Sequence, residues 1–420
     1  MENRITRVEA QELDNMDPLA DMRDDFLFVD DSIYLDGNSL GRLHRDVPDF
    51  VSDVVREQWG RKLIDGWDRW INWSTEIGDR LAECVLGASP GEVILSDSTS
   101  VNLYKLAASA LDEADSGRRK IVVDSEDFST NRYIVDGLAK ARGLHVEQVT
   151  SDVDEGMTIE DLDRVVTPDV ALIILSMVSY RCGALVDMKS INALARSRGV
   201  RVLWDLSHAV GVVPIDLAES KTDLAVGCTY KFLNGGPGSP AFLYVRRDLQ
   251  STLRQPIQGW FGQRGQFMMG RDYDPVDAID RFLVSTPPIL SMAPLIPALD
   301  STEAAGIDRI RHKSVLLGSF LLDLVAEKLI PLGFNMASPT DAARRGGHMA
   351  LHHADAWRIC QAMAAKARVI CDYREPSRIR FATAPLYTRF TDIWDAVDRT
   401  YWIVKNCEHE DFPIKRQRIT

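Results

Sequence analysis

Two residues suited to cofactor chemistry each follow an apolar run that predicts a β-strand. Lys231 follows the run Leu224–Val226 and precedes a glycine-rich turn, and Asp205 ends the run Val200–Asp205, 26 residues earlier. An amine held away from water has a lowered pKa and is a usable nucleophile. A carboxylate at the end of a parallel strand points into the crevice where α/β sheets bind ligands. Taken alone, Lys231 also fits an ordinary surface lysine, but the pair favours a cofactor enzyme.

The chemistry that needs this pair is that of pyridoxal phosphate. A lysine amine forms an imine with the cofactor, and an aspartate keeps the pyridine nitrogen protonated so that the ring can accept electrons. His208 lies three residues after Asp205 in the same segment. The spacing of lysine and aspartate therefore predicts a pyridoxal-phosphate site between two neighbouring strands.

Three further polar segments follow predicted strands at the same, ligand-binding end. Ser96–Ser100 carries several hydroxyls just before an apolar-periodic helix, with Thr99 or Ser100 as the expected N-cap. Free N–H groups and the helix dipole make such a start an anion site, although plain capping explains the hydroxyls as well. Phe128–Asn131 and the segment beginning at Ser176 follow two other strands.

The elements that must position these residues alternate between strand and helix from about residue 119 to 245. Such alternation predicts an α/β fold with a doubly wound, mostly parallel sheet. We expect an N-terminal arm and small-domain segment over residues 1–60, a large cofactor-binding domain over 61–295 and a smaller α+β C-terminal domain over 296–420. The predicted strands are Lys120–Asp124, His145–Val149, Val170–Leu175, Val200–Asp205, Leu224–Val226 and Ala241–Val245, and the predicted helices between them are Arg132–Ala141, Ile159–Val166 and Ser190–Arg198.

Composition excludes several classes of partner. The net charge is −13, which argues against a nucleic-acid surface, and no apolar run approaches the roughly 20 residues of a membrane span. The N-terminus is acidic and polar, unlike a signal peptide. Six scattered cysteines without a C-x-x-C pair fit reduced thiols in a cytoplasm. No carboxylate or cysteine stands at ligand spacing from His352 and His353, so we expect no metal site.

Two aromatic or basic features point to substrate contacts. Three tryptophans lie within residues 65–73, where one near a cleft could stack on an aromatic substrate, although a core or interface role fits them equally. Arg380 stands in an apolar, strand-like context. A buried arginine needs an anion, and a substrate carboxylate is a good candidate.

Together these motifs resemble the kynureninase family of fold-type-I pyridoxal-phosphate enzymes over nearly the whole chain. The most specific pieces are WDLSH (204–208) and TYKFLNGGPG (229–238), supported by DSTSVN (97–102), GWFG (259–262) and the segment from Arg380 to Tyr387. The resemblance implies hydrolysis of L-kynurenine to anthranilate and L-alanine by cleavage of the Cβ–Cγ bond. It also implies a homodimer with shared active sites.

Roles for individual residues follow from the resemblance. Lys231 would bind the cofactor covalently and serve as base, Asp205 would pair with the pyridine nitrogen, and Tyr230 would help to hold the phosphate and would donate a proton. The other cofactor contacts implied are Thr99, Ser100, Phe128, Ser129, Thr130, Asn131, Ser176, His208 and, from the neighbouring subunit, Trp260 and Thr286. The substrate contacts implied are Arg380 for the α-carboxylate, Trp67 for the aromatic ring, and Ser285.

Some positions depart from the family pattern. Asn131 stands where members usually have an aspartate, Gln263 where a histidine commonly follows the glycine, and GGHMAL at 346–351 is unusual. Trp67 and Thr286 resemble kynurenine-preferring members, whereas Ser285 resembles those that prefer 3-hydroxykynurenine. The cofactor assignment is unaffected, but these changes leave the exact ring-substituted substrate open.

Two alternatives remain at this stage. One is a related enzyme of the same fold, such as a desulfurase, aminotransferase or lyase; a desulfurase needs a mobile catalytic cysteine, which neither Cys360 nor Cys371 obviously supplies. The other is a non-catalytic protein that binds pyridoxal phosphate. The combination of Lys231, Asp205 and Arg380 argues against the second.

Overall fold

The computed structural model describes residues 5–414, and a seven-stranded sheet organises it. Within the described residues the strands are β1 (Ile33–Tyr34), β2 (Val93–Leu95), β3 (Lys120–Asp124), β4 (His145–Val149), β5 (Val170–Ser176), β6 (Arg201–Asp205), β7 (Leu224–Gly227), β8 (Phe242–Val245), β9 (Asn335–Met336), β10 (His348–His352), β11 (Val369–Ile370), β12 (Asp372–Arg374) and β13 (Arg378–Ala382). The large sheet has the order β2-β8-β7-β6-β5-β3-β4.

Helices surround the sheets. Over the same residues the α-helices are α1 (Arg7–Asn15), α2 (Val47–Asp53), α3 (Trp67–Trp70), α4 (Trp73–Leu81), α5 (Thr99–Asp112), α6 (Ser129–Arg142), α7 (Ile159–Asp163), α8 (Met188–Ser197), α9 (Arg247–Gln250), α10 (Ile289–Met292), α11 (Leu295–Ala305), α12 (Ile307–Leu324), α13 (Ala356–Ala367) and α14 (Phe390–Lys405). Short 3-10 and π-helical turns extend or connect several of them. None of the helices in residues 5–414 is long and apolar enough to cross a membrane.

Strand direction in the large sheet brings the predicted site residues to one edge. Five neighbouring strands run parallel to one another, namely β4, β3, β5, β6 and β7. Strand β8 is antiparallel to both β7 and β2. Ser176 at the end of β5 lies opposite Asp205 in β6, and Asp205 lies opposite Val226 in β7. The mostly parallel, doubly wound α/β sheet predicted from the sequence is therefore confirmed.

The sheet holds together because its central strands are apolar on both faces. In β5, Leu172 and Ile174 pack into a cluster with α5 and α6, while Ile173 and Leu175 face the opposite cluster, which includes residues of α8. Alternate side chains of a strand point to opposite faces, so a strand covered on both sides must be apolar throughout. This explains why the sequence pattern located the strands to within one residue.

A smaller antiparallel sheet, in the order β12-β13-β10-β9, packs with α12, α13 and α14. Helix α1 joins this part of the fold: Arg7 pairs with Asp395 of α14 at 2.7 Å, and Asp14 accepts from the backbone of Phe390. A capping box of Thr6 and Glu9 starts α1 in a segment for which the sequence indicated only a polar arm. The outermost predicted arm and tail, residues 1–4 and 415–420, lie outside the described residues.

Candidate active site

A cavity of about 470 Å³ opens at the carboxyl edge of the large sheet. Its walls come from the segments that follow β2, β3, β5, β6 and β7. The predicted residues that line it are Thr99, Ser100, Phe128, Thr130, Asn131, Ser176, Asp205, His208, Tyr230 and Lys231. Ten of the residues singled out from the sequence therefore line one cavity, as expected for residues that follow the carboxyl ends of parallel strands.

Lys231 reaches His208 inside this cavity. Its Nζ lies 2.8 Å from His208 Nε2. Burial lowers the pKa of Lys231 below its ordinary value and lowers the pKa of His208 well below the usual histidine range. Burial therefore shifts each group toward its neutral form, and a hydrogen bond joins the Lys231 amine and the His208 ring.

Asp205 is held at the end of β6 by two donors. Its Oδ1 accepts from the backbone N–H of Ser207 at 2.9 Å, and its Oδ2 accepts from Asn131 Nδ2 at 3.0 Å. Asp205 is buried, and two hydrogen bonds of this kind orient the carboxylate. It is placed to pair with a cationic group in the cavity.

The start of helix α5 forms the opposite wall. The N-cap is Ser98, whose Oγ accepts from Val101 N at 3.4 Å, so the expected cap at Thr99 or Ser100 was one or two residues too late. Thr99 and Ser100 instead occupy the first turn, where backbone N–H groups lack helical partners. A 14-residue helix with hydroxyls in its first turn fits a phosphate group.

A buried lysine that the sequence analysis missed anchors this wall. Lys105 Nζ donates to Asp97 Oδ2 at 2.8 Å, Ser96 Oγ at 2.9 Å and Phe282 O at 2.8 Å. Asp97 adopts a left-handed backbone with φ of 47° at the cavity edge. The signal in the sequence was a lone lysine within the apolar face of helix α5.

Aromatic residues cover the mouth. Phe128 stands just before α6, is 45% exposed, and meets the ring of Tyr180 edge-on at 5.4 Å between centroids. Tyr180 also lines the cavity but was not predicted individually. Phe128 thus presents a free ring face at the point where a planar ligand would enter.

The loop that carries Gly37 and Gly41 closes against the lysine segment. Gly41 N donates to Tyr230 O at 2.7 Å, and a Cβ at position 41 would lie 2.3 Å from Lys231 O. No side chain fits at that distance. This close approach explains why position 41 is a glycine.

The cavity suits pyridoxal phosphate on three separate grounds. It holds a buried amine at Lys231, a buried carboxylate at Asp205 and a helix start at Thr99 that suits an anion. His208 Nδ1 is also buried without a hydrogen-bond partner in the structure. An aldehyde, a protonated pyridine nitrogen and a phosphate would satisfy this set of groups.

Comparison with known proteins decides the family. A kynureninase from Pseudomonas fluorescens is 38% identical over 411 residues, covering 94% of this chain and 97% of that protein. A kynureninase from Burkholderia pseudomallei is 39% identical over 400 residues, covering 94% of each. The chain belongs to the kynureninase family. Residues 310–400 also match the model of the kynureninase C-terminal domain.

Solved structures confirm the fold expected of this family. A cysteine desulfurase from Thermococcus onnurineus superposes with a TM-score of 0.79 at 16% identity, covering 92% of this chain and 98% of that one. A cysteine desulfurase from Escherichia coli gives 0.80 at 17% identity, with the same coverage. At such identity these structures show the fold-type-I architecture alone. Members of the kynureninase family are hydrolases that depend on pyridoxal phosphate.

Arg380, the expected carboxylate ligand, lies behind the cavity wall. It is 1% exposed and forms a bidentate ion pair with Asp372, with Nε 2.7 Å from Asp372 Oδ1. Its Nη1 donates to the backbone oxygen of Tyr180, which lines the cavity, and its Nη2 lies 3.2 Å from Ser39 Oγ. Arg380 is thus a buried arginine paired with an anion, and its contact with a substrate carboxylate stays a prediction.

The other predicted contacts do not line this cavity in the single chain. Ser129 is the first residue of α6 but is not among the residues that line the cavity. Ser285 and Thr286 are exposed. Trp67 borders a separate apolar cavity of about 580 Å³ that shares Pro288 with the first. Trp260 is 37% exposed and packs on Phe261.

Sequence reasoning also missed two buried ionisable residues. Asp127 lies beneath Ser176 and Asn131, and burial raises its pKa to about 7. His348, in β10, lies 5.3 Å from the His208 ring, and burial lowers its pKa well below the usual histidine range. No cluster of His, Cys, Asp or Glu in the described part of the chain could hold a metal ion.

Proposed function

We propose that the protein hydrolyses L-kynurenine, or a ring-substituted relative such as 3-hydroxykynurenine, to the corresponding anthranilate and L-alanine. The observation that carries this proposal is the joint placement of Lys231, Asp205 and the start of α5 around one cavity, in a chain of the kynureninase family. Lys231 would hold the cofactor aldehyde carbon, Asp205 the pyridine nitrogen, and Thr99 with Ser100 the phosphate. Phe128 would stack on the ring.

The bound cofactor supplies an electron sink for the bonds that break at the substrate's Cα and Cβ. The chain's own residues move the protons. Lys231, whose pKa burial lowers, removes the α-proton, and the His208 ring holds its amine in position. Water adds to the γ-carbonyl, the Cβ–Cγ bond breaks, and the carbonyl carbon leaves as the carboxylate of anthranilate.

Tyr230 is the proposed proton donor that turns Cβ into the methyl group of alanine. Burial raises the pKa of Tyr230 above its ordinary value, so the phenol keeps its proton throughout the neutral range. The centre of its ring lies 5.9 Å from Lys231 Nζ, and both residues line the cavity. The proposed donor and the proposed base are therefore neighbours in the site.

Alanine release from the cofactor-loaded protein tests the reaction. L-kynurenine and 3-hydroxykynurenine are offered separately, with Lys231→Ala as the inactive control and L-cysteine as a desulfurase substrate. Alanine with the matching anthranilate supports the proposal, and the ratio of the two kcat/KM values gives the ring preference. Sulfide from cysteine without alanine from either kynurenine would overturn it.

We propose further that the active unit is a homodimer in which Trp260 and Thr286 enter the partner's cavity. Neither residue lines the cavity of its own chain, which supports this, as do exposed apolar side chains: Ile64 is 75% exposed, Phe267 69% and Met268 85%. A single chain that left these residues in water would present a large apolar surface.

Subunit complementation tests the shared site. Lys231→Ala and Trp260→Ala variants are inactive or impaired alone. If sites are shared, each mixed dimer contains one site free of both substitutions, so an equal mixture that exchanges subunits regains about a quarter of wild-type activity. No gain after verified exchange contradicts sharing, and light scattering that shows a monomer contradicts the dimer itself.

We also assign the protein to the cytoplasm. All six cysteines are free thiols in the structure, and Cys360 and Cys371 stay unpaired although their sulfurs are only 3.7 Å apart. Reducing compartments preserve such thiols. Cell fractionation checks the assignment, and recovery from an oxidising compartment with a Cys360–Cys371 disulfide would contradict it.

A further inference from the structure

Asp127 is a second buried carboxyl group, directly behind the cavity-lining residues Ser176 and Asn131. It lies in the turn between β3 and α6 and is 4% exposed. Its Oδ1 accepts from Ser176 Oγ at 2.5 Å and from Phe128 N at 2.7 Å. Ser176 ends β5 directly beside Asp205 in the sheet, so Asp127 is connected to Asp205 through a neighbouring strand.

The Asn131 amide joins the two carboxyl groups. Its Nδ2 lies 3.0 Å from Asp205 Oδ2, and 3.5 and 3.4 Å from the two oxygens of Asp127. A neutral amide offers two hydrogens but no charge to offset two anions. Two carboxylates brought together in a buried site do not both ionise readily, so one keeps a proton.

Of the two, Asp127 is the one that keeps the proton. Burial, with a smaller contribution from the charge of Asp205, raises its pKa to about 7, although the Ser176 hydrogen bond opposes part of the shift. Asp124, at the end of β3, also raises the pKa of Asp127, and Lys231 and His208 line the same cavity as Ser176 and Asn131. Burial lowers the pKa of both of these bases, which weakens any compensation of Asp127 by a positive charge.

We propose that Asp127 is a positioning residue of the cofactor site, which releases its proton to solvent when a cationic pyridine ring binds beside Asp205. The ring's positive charge offsets the second carboxylate, and the ionised Asp127 then strengthens the field that keeps the ring protonated. Asn131 stands where the family resemblance expects an aspartate. Asp127, in the turn before α6, therefore supplies the negative charge that position 131 lacks. The inference rests on the proposed cofactor role of the cavity, but not on which kynurenine is hydrolysed.

Cofactor titrations test this without any turnover. Apo protein is titrated with pyridoxal phosphate between pH 5.5 and 8.5, and calorimetry in two buffers of different ionisation enthalpy counts the protons released. Wild type should release up to about one proton more than Asp127→Asn near pH 6, and its Kd should fall more steeply with rising pH below 7. Asparagine keeps the shape and the two acceptor contacts of Asp127, which preserves the fold.

Two further variants sharpen the comparison. The exchanged pair Asp127→Asn with Asn131→Asp returns a carboxyl group to the cluster and should restore the proton release. Asp124→Asn removes a nearby carboxyl group outside the cavity and should behave as wild type. Equal proton release by wild type and Asp127→Asn would overturn the proposal, while tight cofactor binding without alanine formation would overturn the proposed reaction alone.

Discussion

Lys231 Nζ and His208 Nε2 lie 2.8 Å apart in a space that disfavours the positive charge of either. Burial is the main cause in both cases, and it lowers the pKa of each group. Burial therefore shifts the Lys231 amine toward the neutral form that the chemistry requires, and the folded apo protein gives up stability to hold it there.

Lys231→Met should raise the stability of the apo protein near neutral pH. Because the pKa of Lys231 is lowered on folding, the unfolded chain binds the extra proton, and wild-type stability rises as pH increases toward 10.5. We expect the variant to melt a few degrees above wild type at pH 7, with the difference shrinking by pH 10. Thermal melts of both apo proteins across this range give the measurement.

Lys105→Met is the matched control for that substitution. Lys105 is also fully buried, but it pairs with Asp97 at 2.8 Å and makes two further hydrogen bonds. Its removal leaves Asp97 unpaired, so this variant should lose about 3 kcal/mol of unfolding free energy. A stabilised Lys105→Met would mean that lysine burial alone, rather than pairing, determines the effect.

Gly41→Ala should weaken cofactor binding and destabilise the protein. The added Cβ would lie 2.3 Å from Lys231 O and 2.4 Å from Asn234 Oδ1, which forces the loop away from the lysine segment. Cofactor titration and thermal melts measure both effects. Gly137→Ala, in helix α6 with open space around its Cβ, should instead stabilise by about 0.5–1 kcal/mol.

Arg380→Lys should raise KM for kynurenine roughly 10- to 100-fold, corresponding to about 1.5–3 kcal/mol for charge-assisted hydrogen bonds, with a smaller change in kcat. A lysine cannot reproduce the planar pair of donors that Arg380 presents to Asp372. Steady-state kinetics separate the two parameters. An unchanged KM would remove Arg380 from the substrate site.

Asp372→Asn examines the partner of that arginine. Removing the carboxylate leaves a buried guanidinium without its main anion, and we expect a loss of about 3–5 kcal/mol in stability. A substrate-like carboxylate should restore part of it, so added L-alanine should raise the Tm of this variant more than that of wild type. Equal shifts in the two proteins would contradict access of Arg380 to the ligand.

Tyr230→Phe should lower kcat about 100-fold or more while leaving cofactor affinity within a few-fold of wild type. The loss follows from removing the only proposed proton donor to Cβ, whose raised pKa keeps it protonated at neutral pH. Stopped-flow absorbance of the bound cofactor separates the early steps from product formation. Unchanged kcat would assign the donor role to another group.

The sequence allowed the large sheet and the centre of the site to be predicted for one physical reason. Strands buried on both faces are continuous apolar runs, and parallel strands deliver the residues at their ends to one edge, which placed Ser176, Asp205 and Lys231 together. The Arg380–Asp372 pair could not be predicted, because it depends on the register of two antiparallel strands. Asp127 was missed because it directly precedes Phe128 in a turn, where it resembled an ordinary loop aspartate.

The order of the sheet along the chain bears on how the protein is made. All seven strands of the large sheet fall within residues 93–245, whereas Asp372 and Arg380 come more than a hundred residues later. At 5–20 residues per second, synthesis of the 175 residues after Val245 takes roughly 10–35 seconds. Lys231 and Asp205 thus leave the ribosome well before Arg380 is synthesised. Borohydride labelling of Lys231 in chains arrested during translation would show whether cofactor capture precedes completion of the polypeptide.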